Sequence, residues 1–313
     1  MYAKSTSGSS FVRGYEFHNA ATGARVAMAA VIHTRIPSDP IHIALREYTR
    51  TFMAGTSPSR DFGLVIEPKP RAEVLDVDDH QAIGLLGEAA LAAKFTYGSE
   101  AGDVYWFEPT LLDQYEALKG EHGSREAQYL FASWTTFQYL EQTNQDVLRR
   151  GSRQQLRDYL DAHRRRQPDA EKLSWMSLEH LECLHEQIFH ETLDLGEVEI
   201  LDRMYERTNW NRTAGPMSPT ALSAQAFRDR TVGSMITKTS AAIDLEIIYG
   251  DVHTDAFLEA ILRGLGQDAT SDWDVREIHA VSERNGGYRL VASDVPTRLA
   301  RTEHVAEAFP GLD

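Results

Sequence analysis

Apolar and polar residues follow different patterns in three successive zones of the chain. Residues 10–110 mix strand and helix patterns. The stretches FVRGYEF and RVAMAAVIHTRI flank a loop that contains Asn and Gly, which is typical of a β-hairpin. The run FGLVIEP, closed by Pro68, predicts a short strand. The segments SDPIHIALREYTRTFMAG and DDHQAIGLLGEAALAAKF predict helices.

The second zone, residues 109–265, has apolar residues mostly at helical spacing. One part of it allows two interpretations. The stretch DLEIIYG, residues 244–250, either ends a long helix or forms a buried strand whose following loop carries Asp251 and His253. The predicted helices cover residues 109–121, 124–149, 152–165, 177–207, 221–248 and 254–264. This zone therefore predicts a helical body.

Strand patterns return in the third zone, residues 270–295. Two β-rich arms flank Asn285, Gly286 and Gly287, which are the turn residues of a tight hairpin. Strands near both ends of a chain pair most simply in one sheet. We therefore predict an α+β fold of one domain, residues 1–313, with a predominantly helical body at about 109–265 and a small antiparallel sheet formed by N-terminal and C-terminal strands.

Composition and charge narrow the class of protein. The 313 residues include 47 acidic and 32 basic ones, a net charge of −15, which argues against a nucleic-acid partner. The single cysteine, Cys183, excludes an intramolecular disulfide and a Cys-rich zinc site. Because no stretch has about 18 consecutive apolar residues and the N-terminus lacks the pattern of a signal peptide, we expect a soluble, cytoplasmic protein without a membrane partner. Nothing in the pattern indicates an oligomeric state.

The densest cluster of ligand-type residues is LECLHEQIFHETL, residues 181–193. Projected on a helix, Glu182 and His185 fall beside or within the apolar arc, whereas most other charged residues of the stretch point elsewhere. The Glu-x-x-His spacing puts both side chains on one side of a helix, where they can bind one ion. In the carboxylate metal sites of four-helix proteins, each metal takes such a pair together with glutamates from neighbouring helices.

Two further helical stripes carry a polar residue where an apolar one is expected. One contains Glu141, and the other contains Glu246 with His253 seven residues later. An unpaired charge there is costly, so these groups should compensate one another through a metal or through hydrogen bonds. The predicted metal ligands are Glu141, Glu182, His185, Glu246 and His253, a set that suits Fe or Mn better than Ca or Mg. A complete di-iron bundle has two Glu-x-x-His pairs, whereas this chain has one.

These residues favour a metal-dependent enzyme, with no catalytic residue assigned beyond the ligands. Because the set lies among aromatic residues, we expect a non-haem iron or manganese oxidase or oxygenase that acts on a small-molecule substrate. An alternative is a metal-free interaction or regulatory protein in which the same groups form a buried hydrogen-bond network. A lesser alternative is a phosphatase-like hydrolase that uses Asp76, Asp78, Asp251 and Asp255.

Overall fold

A computed structural model describes residues 10–20, 22–70, 72–142, 153–195, 217–264, 273–283 and 286–294. The strands are β1 Phe11–Asn19, β2 Arg25–Val31, β3 Phe62–Ile66, β4 Gly102–Tyr105, β5 Asp244–Gly250, β6 Trp273–Ser282 and β7 Tyr288–Asp294. The α-helices are α1 Ile41–Ala54, α2 Asp79–Leu86, α3 Ala90–Tyr97, α4 Leu111–His122, α5 Ser124–Gln142, α6 Arg153–Arg165, α7 Leu178–Phe189, α8 Ser218–Ser240 and α9 Thr254–Gly264. Short 3₁₀ turns lie at Ala72–Leu75, Gly87–Ala89, Ala170–Leu173 and Asp251–His253.

The seven described strands form one mixed sheet in the order β4-β3-β5-β2-β1-β6-β7. Strand β5 pairs in parallel with β2 on one side and with β3 on the other, and β3 pairs in parallel with β4. Strands β1, β6 and β7 continue the sheet through antiparallel pairs. The sheet therefore has a parallel half, in which β2, β3, β4 and β5 all end at the same edge.

The predicted combination of helices and a sheet is confirmed, but the predicted type of sheet is not. The terminal strand zones do share one sheet, since β1 pairs with β6, and both predicted hairpins are present. The prediction of a small antiparallel sheet is wrong, because the sheet is mixed and has a parallel core. The predicted helix 221–248 ends at Ser240, and residues 244–250 form β5. Every residue of β5 is buried, and periodicity alone cannot distinguish such a run from a buried helix.

Helices cover both faces of the parallel half. On one face, alternate residues of β2 and β3 pack with α1, α2 and α3 in a single apolar cluster. On the other face, Val26, Met28 and Val65 pack with the C-terminal half of α8 and with α9. Strand β5 contributes to both, with Ile248 on the first face and Leu245, Ile247 and Tyr249 on the second. The result is a three-layer α/β/α arrangement around the strands that carry the site.

The chain divides into two compact units. The sheet unit contains Lys4–Glu108 and Asp229–Asp313, and the helical unit contains Pro109–Arg228. Within the helical unit, α4, α5, α6 and α7 and the beginning of α8 share an apolar core of their own. The helical segment lies between two strand-rich segments, as the three zones of the sequence indicate. The prediction of a single domain over residues 1–313 stays a prediction.

None of the helices in the described part of the chain is both long enough and apolar enough to cross a lipid bilayer. The longest of them, α8, contains Arg and Lys residues among its apolar ones.

We predict opposite effects for alanine at two glycines of the sheet unit. A Cβ on Gly14 in β1 would lie 2.7 Å from the carbonyl oxygen of Met28 and 2.9 Å from Cβ of Ile278, so Gly14→Ala should destabilise the protein by about 1–3 kcal/mol. A Cβ on Gly84 in α2 meets nothing within 4 Å, so Gly84→Ala should stabilise it by about 0.5–1 kcal/mol. Urea unfolding followed by circular dichroism measures both. Equal effects at the two sites would contradict this packing of β1 against its neighbours.

Candidate functional site

Three parallel strands end side by side, and each is followed by a titratable residue. His33 lies two residues after β2, Glu67 directly after β3, and His253 three residues after β5. Val31 is in register with Gly250, and Ile66 with Ile248, so the three strand ends are level with one another. Ligands of open α/β sheets bind at such carboxyl-terminal strand ends.

The carboxylate of Glu67 lies between the two imidazoles. Its Oε2 is 3.1 Å from Nε2 of His33, and its Oε1 is 3.9 Å from Nε2 of His253. The backbone N–H of Gly250 also donates to Oε2 of Glu67 over 3.1 Å. The same ring nitrogen of both histidines is therefore directed at one carboxylate, at the point where β2, β3 and β5 end.

The other ring nitrogen of each histidine is held by a second carboxylate. Nδ1 of His33 is 2.8 Å from Oε1 of Glu88, which follows Gly87 in a 3₁₀ turn. Nδ1 of His253 is 2.6 Å from Oδ1 of Asp229 in α8. These contacts fix both imidazole rings with Nε2 toward Glu67. The ring of His253 is held further by packing parallel to Phe257 and edge-on to Tyr249.

Glycine at position 250 makes the close approach of His33 possible. A Cβ at this position would lie 2.8 Å from Nε2 of His33 and 3.4 Å from Oε2 of Glu67. Any larger residue would therefore displace the imidazole from the end of the strand. The glycine is needed here for space, since no positive φ angle is required of it.

The environments of the two histidines differ. The side chain of His253 is 2% exposed, whereas that of His33 is 57% exposed and accessible to water. Hydrogen bonds to Glu67 and Glu88 raise the pKa of His33 to about 10, although burial opposes the shift. At neutral pH, His33 in this arrangement is therefore an imidazolium that donates from both nitrogens to carboxylates.

The connections around the site leave the sheet in opposite directions. The chain passes from β2 and β3 to α1 and α2 on one face, and from β5 to α9 on the other face. A crevice forms where adjacent connections diverge in this way, at the switch point of the topology. His33 and Glu67 belong to the connections that run to one face of the sheet, and His253 belongs to the connection that runs to the other.

Glu246, a predicted ligand, lies inside the sheet unit on the α1 face. It is fully buried, and its Oε1 is 3.0 Å from the hydroxyl of Thr49. That hydroxyl has one proton and also lies 2.9 Å from the carbonyl oxygen of Leu45. Oε2 of Glu246 has no hydrogen-bond partner among the described residues. Burial raises the pKa of Glu246 to about 8, so at neutral pH it is a protonated acid that can donate to Thr49.

His253 and Glu246, although close in sequence, have separate surroundings. Glu246 contacts α1, whereas His253 packs with Tyr249 and Phe257 on the other face and bonds to Asp229. His253 therefore lies next to Glu67, whereas Glu246 lies apart from both.

The remaining predicted ligands belong to the helical unit. Glu182 in α7 forms an ion pair with Arg153, in which both of its oxygens take part. His185 is buried, with Nδ1 2.8 Å from the hydroxyl of Tyr129 and Nε2 3.3 Å from Glu191. Glu141 lies in α5, but its side chain is outside the described residues. Glu182 and His185 thus have different partners, and their sharing of an ion stays a prediction.

In the described ranges, no group of three or more His, Cys, Asp or Glu side chains is already arranged to hold a metal ion. At the strand ends, the histidines and Glu67 contact each other instead.

The ligands predicted from the sequence do not include His33 or Glu67, nor the carboxylates of Glu88 and Asp229 that hold the rings. A signal for two of them was present, because AVIH and LVIE each place a titratable residue at or just beyond the end of an apolar run. The same holds for IIYGDVH, in which His253 follows the run that forms β5. Recognition of three buried parallel strands would have placed all three residues at one edge of a sheet.

We predict that Glu246 makes stability depend on pH. Its folded-state pKa of about 8 lies above the ordinary glutamate value of 4.5, so the protonated form favours folding. This contribution is complete below about pH 4.5 and is lost as the pH rises through 8. Glu246→Gln, which keeps a neutral side chain of similar shape, should make the free energy of unfolding less dependent on pH over this range. Urea unfolding at several pH values measures this free energy, and Glu277→Gln on the exposed part of β6 is the control. If Glu246→Gln leaves the dependence of the free energy on pH unchanged, this contradicts a buried acid at position 246.

Comparisons with other proteins do not identify the site. The chain matches no model of a protein family, no curated protein sequence and no solved structure. The interpretation that follows therefore rests on the residues at the ends of β2, β3 and β5.

Proposed function

We propose that the protein is a metal-dependent hydrolase whose centre is formed by His33, Glu67 and His253. The observation that carries the proposal is the orientation of the two imidazoles. Both direct Nε2 at the carboxylate of Glu67, while Glu88 and Asp229 hold their Nδ1 atoms. Metal-binding histidines have this arrangement, because an outer carboxylate on the second nitrogen fixes the ring and increases its basicity.

The distances between the three groups fit ligands of one ion. Bonds of about 2.0–2.2 Å at tetrahedral or octahedral angles place neighbouring ligand atoms about 3.0–3.4 Å apart. The observed separations from Glu67 are 3.1 Å for His33 and 3.9 Å for His253. The two histidines approach different oxygens of Glu67, so the side chains would have to move for one ion to bind all three, and the ion would replace the proton that His33 shares with Glu67.

The charge of the cluster favours a cation. Glu67, Glu88 and Asp229 bring three carboxylates to two imidazoles. Glu88 is 4% exposed, and water therefore does little to stabilise its charge. Carboxylates at this density would attract a divalent ion to the Nε2 side. Two imidazoles and one carboxylate suit Zn, Mn or Fe.

The exposure of the site favours hydrolysis over oxidation. The side chain of His33 is 57% exposed, so water reaches the centre, whereas activated oxygen needs a dry one. A divalent ion held by His33, Glu67 and His253 would activate a water molecule for attack on the carbonyl carbon of an ester or amide. The hydroxyl of that water would replace the alcohol or amine on the acyl carbon, and its other proton would go to the leaving oxygen or nitrogen, which gives a carboxylic acid and an alcohol or amine.

An iron oxidase or oxygenase, which the sequence favours, is the second candidate. Two histidines and one carboxylate are also the ligands of non-haem Fe(II) oxygenases. The enclosure of His253 by Tyr249 and Phe257 is the observation in its favour. Oxygen uptake by the Fe-loaded protein, without ester or amide hydrolysis by the Zn- or Mn-loaded protein, would select this candidate over the hydrolase.

The ligand assignment predicts the loss of metal in two variants. His33→Gln and His253→Gln should each weaken binding of Zn²⁺ or Mn²⁺ by about a hundredfold or more, since even residues that only orient a ligand contribute about 10–100-fold. They should also abolish hydrolysis of p-nitrophenyl acetate by the loaded protein. Equilibrium dialysis with elemental analysis measures the metal, and circular dichroism checks the fold. His279→Gln on β6 is the matched control, and metal binding that all three variants retain would refute the centre.

The outer carboxylates predict a smaller, graded effect. Asp229→Asn keeps an oxygen near Nδ1 of His253 but removes the charge, so metal affinity should fall by about 10–100-fold while the ion can still be loaded at high concentration. Asp255→Asn, which affects only an exposed ion pair with Arg13, should leave the affinity unchanged. Titration with a competing chelator compares the two variants. Equal affinities would show that Asp229 does not orient a ligand.

A further inference from the structure

Exposed apolar side chains are concentrated at the edge of the sheet where the candidate centre lies. The described residues include eight large apolar side chains with high exposure, and six of these belong to segments at this edge. They are 41–63% exposed. We call them the apolar rim, which consists of Val12, Ile32, Ile36, Ile43, Leu75 and Val252.

The topology places each member of the rim. Ile32 and Ile36 lie in the connection after β2, and Ile43 lies in the first turn of α1, which this connection enters. Leu75 ends the 3₁₀ turn after β3, and Val252 lies in the turn after β5. Val12 is near the start of β1, which is antiparallel to β2 and therefore begins where β2 ends.

Two rim residues are direct chain neighbours of the histidines. Ile32 precedes His33 and Val252 precedes His253, and the register of Val31 with Gly250 brings these two chain segments side by side. A molecule that covers Ile32 and Val252 therefore lies on the two chain segments that carry the histidines. The other two exposed apolar residues, Leu222 and Met235, lie on α8 and not in the connections that follow the parallel strands.

We infer that the substrate is an uncharged ester or amide whose acyl part is apolar and lies along this rim, with its carbonyl group at Glu67. The inference rests on the proposed hydrolase, for which it names the substrate class. Exposing this much apolar surface is unfavourable in water, and in a chain with a net charge of −15 the position of the rim around a reactive centre matches an apolar substrate. Small-molecule sites combine apolar walls with a few polar groups in this way.

The test compares acyl chain lengths in the metal-loaded full chain. For p-nitrophenyl esters from acetate to octanoate, kcat/KM should rise with length, by up to about fourfold for each methylene that the rim covers. The ratio of kcat/KM for octanoate to that for acetate should fall at least about fivefold in Ile36→Ser and Val252→Ser. Met235→Ser, a similar change away from the rim, should leave the ratio as in the parent protein.

A second measurement separates the inference from the proposed function. Binding of the neutral apolar dye Nile red needs no catalysis, and it should weaken in the two rim variants and not in Met235→Ser. Ester hydrolysis with no dependence on chain length would overturn the apolar substrate while the hydrolase stands. Dye binding by the rim in a protein that hydrolyses no ester or amide would support an apolar-ligand site and refute the hydrolase. Dye binding that is the same in all variants would refute the binding of apolar molecules by the rim.

Discussion

The parallel pairing of β5 between β2 and β3 is the constraint on which the other features of the site depend. This strand reaches its neighbours only after the chain has passed through the helical segment, yet it lies inside the sheet with a parallel partner on each side. Its position makes the ends of three strands adjacent, and so brings His33, Glu67 and His253 to one edge. It also directs the connections around the site to opposite faces, and ligands of open α/β sheets bind where the connections diverge in this way.

The surroundings of the site show how costly polar groups are kept inside the sheet unit. Glu88 and Asp229 place their charge against imidazole rings, where each contact also fixes the direction of a ring. Glu246 follows another solution, because burial keeps it protonated and removes the charge altogether. The two arrangements differ in their ability to bind a metal ion. A carboxylate paired with an imidazole can exchange the shared proton for an ion, whereas a neutral buried acid must first lose its proton.

The features that could be predicted from the sequence are those that depend on neighbouring residues. Gly286 and Gly287 mark the hairpin of β6 and β7, and Pro40 with Gly55 brackets α1. The stretch DLEIIYG is apolar on both sides, because the strand it forms is covered on both faces, and this removes the alternation that would distinguish it from a helix. The convergence of His33, Glu67 and His253 depends on strand pairing across long stretches of chain, for which the local pattern carries no signal. Glu246 lies in a buried strand, which is one of the two interpretations that the sequence allows for residues 244–250.

The separation of β2 and β5 along the chain determines when the site can form during synthesis. Contacts between these strands join residues as far apart as Arg25 and Asp244, 219 positions later. At about 5–20 residues per second, a ribosome needs roughly 10–45 s to make that length of chain. Throughout this interval the edges of β2 and β3 that later receive β5 lack their partner, and exposed strand edges favour aggregation. The helical segment made in the meantime has its own apolar core, so a large part of the nascent chain can fold while β5 is still absent from the sheet.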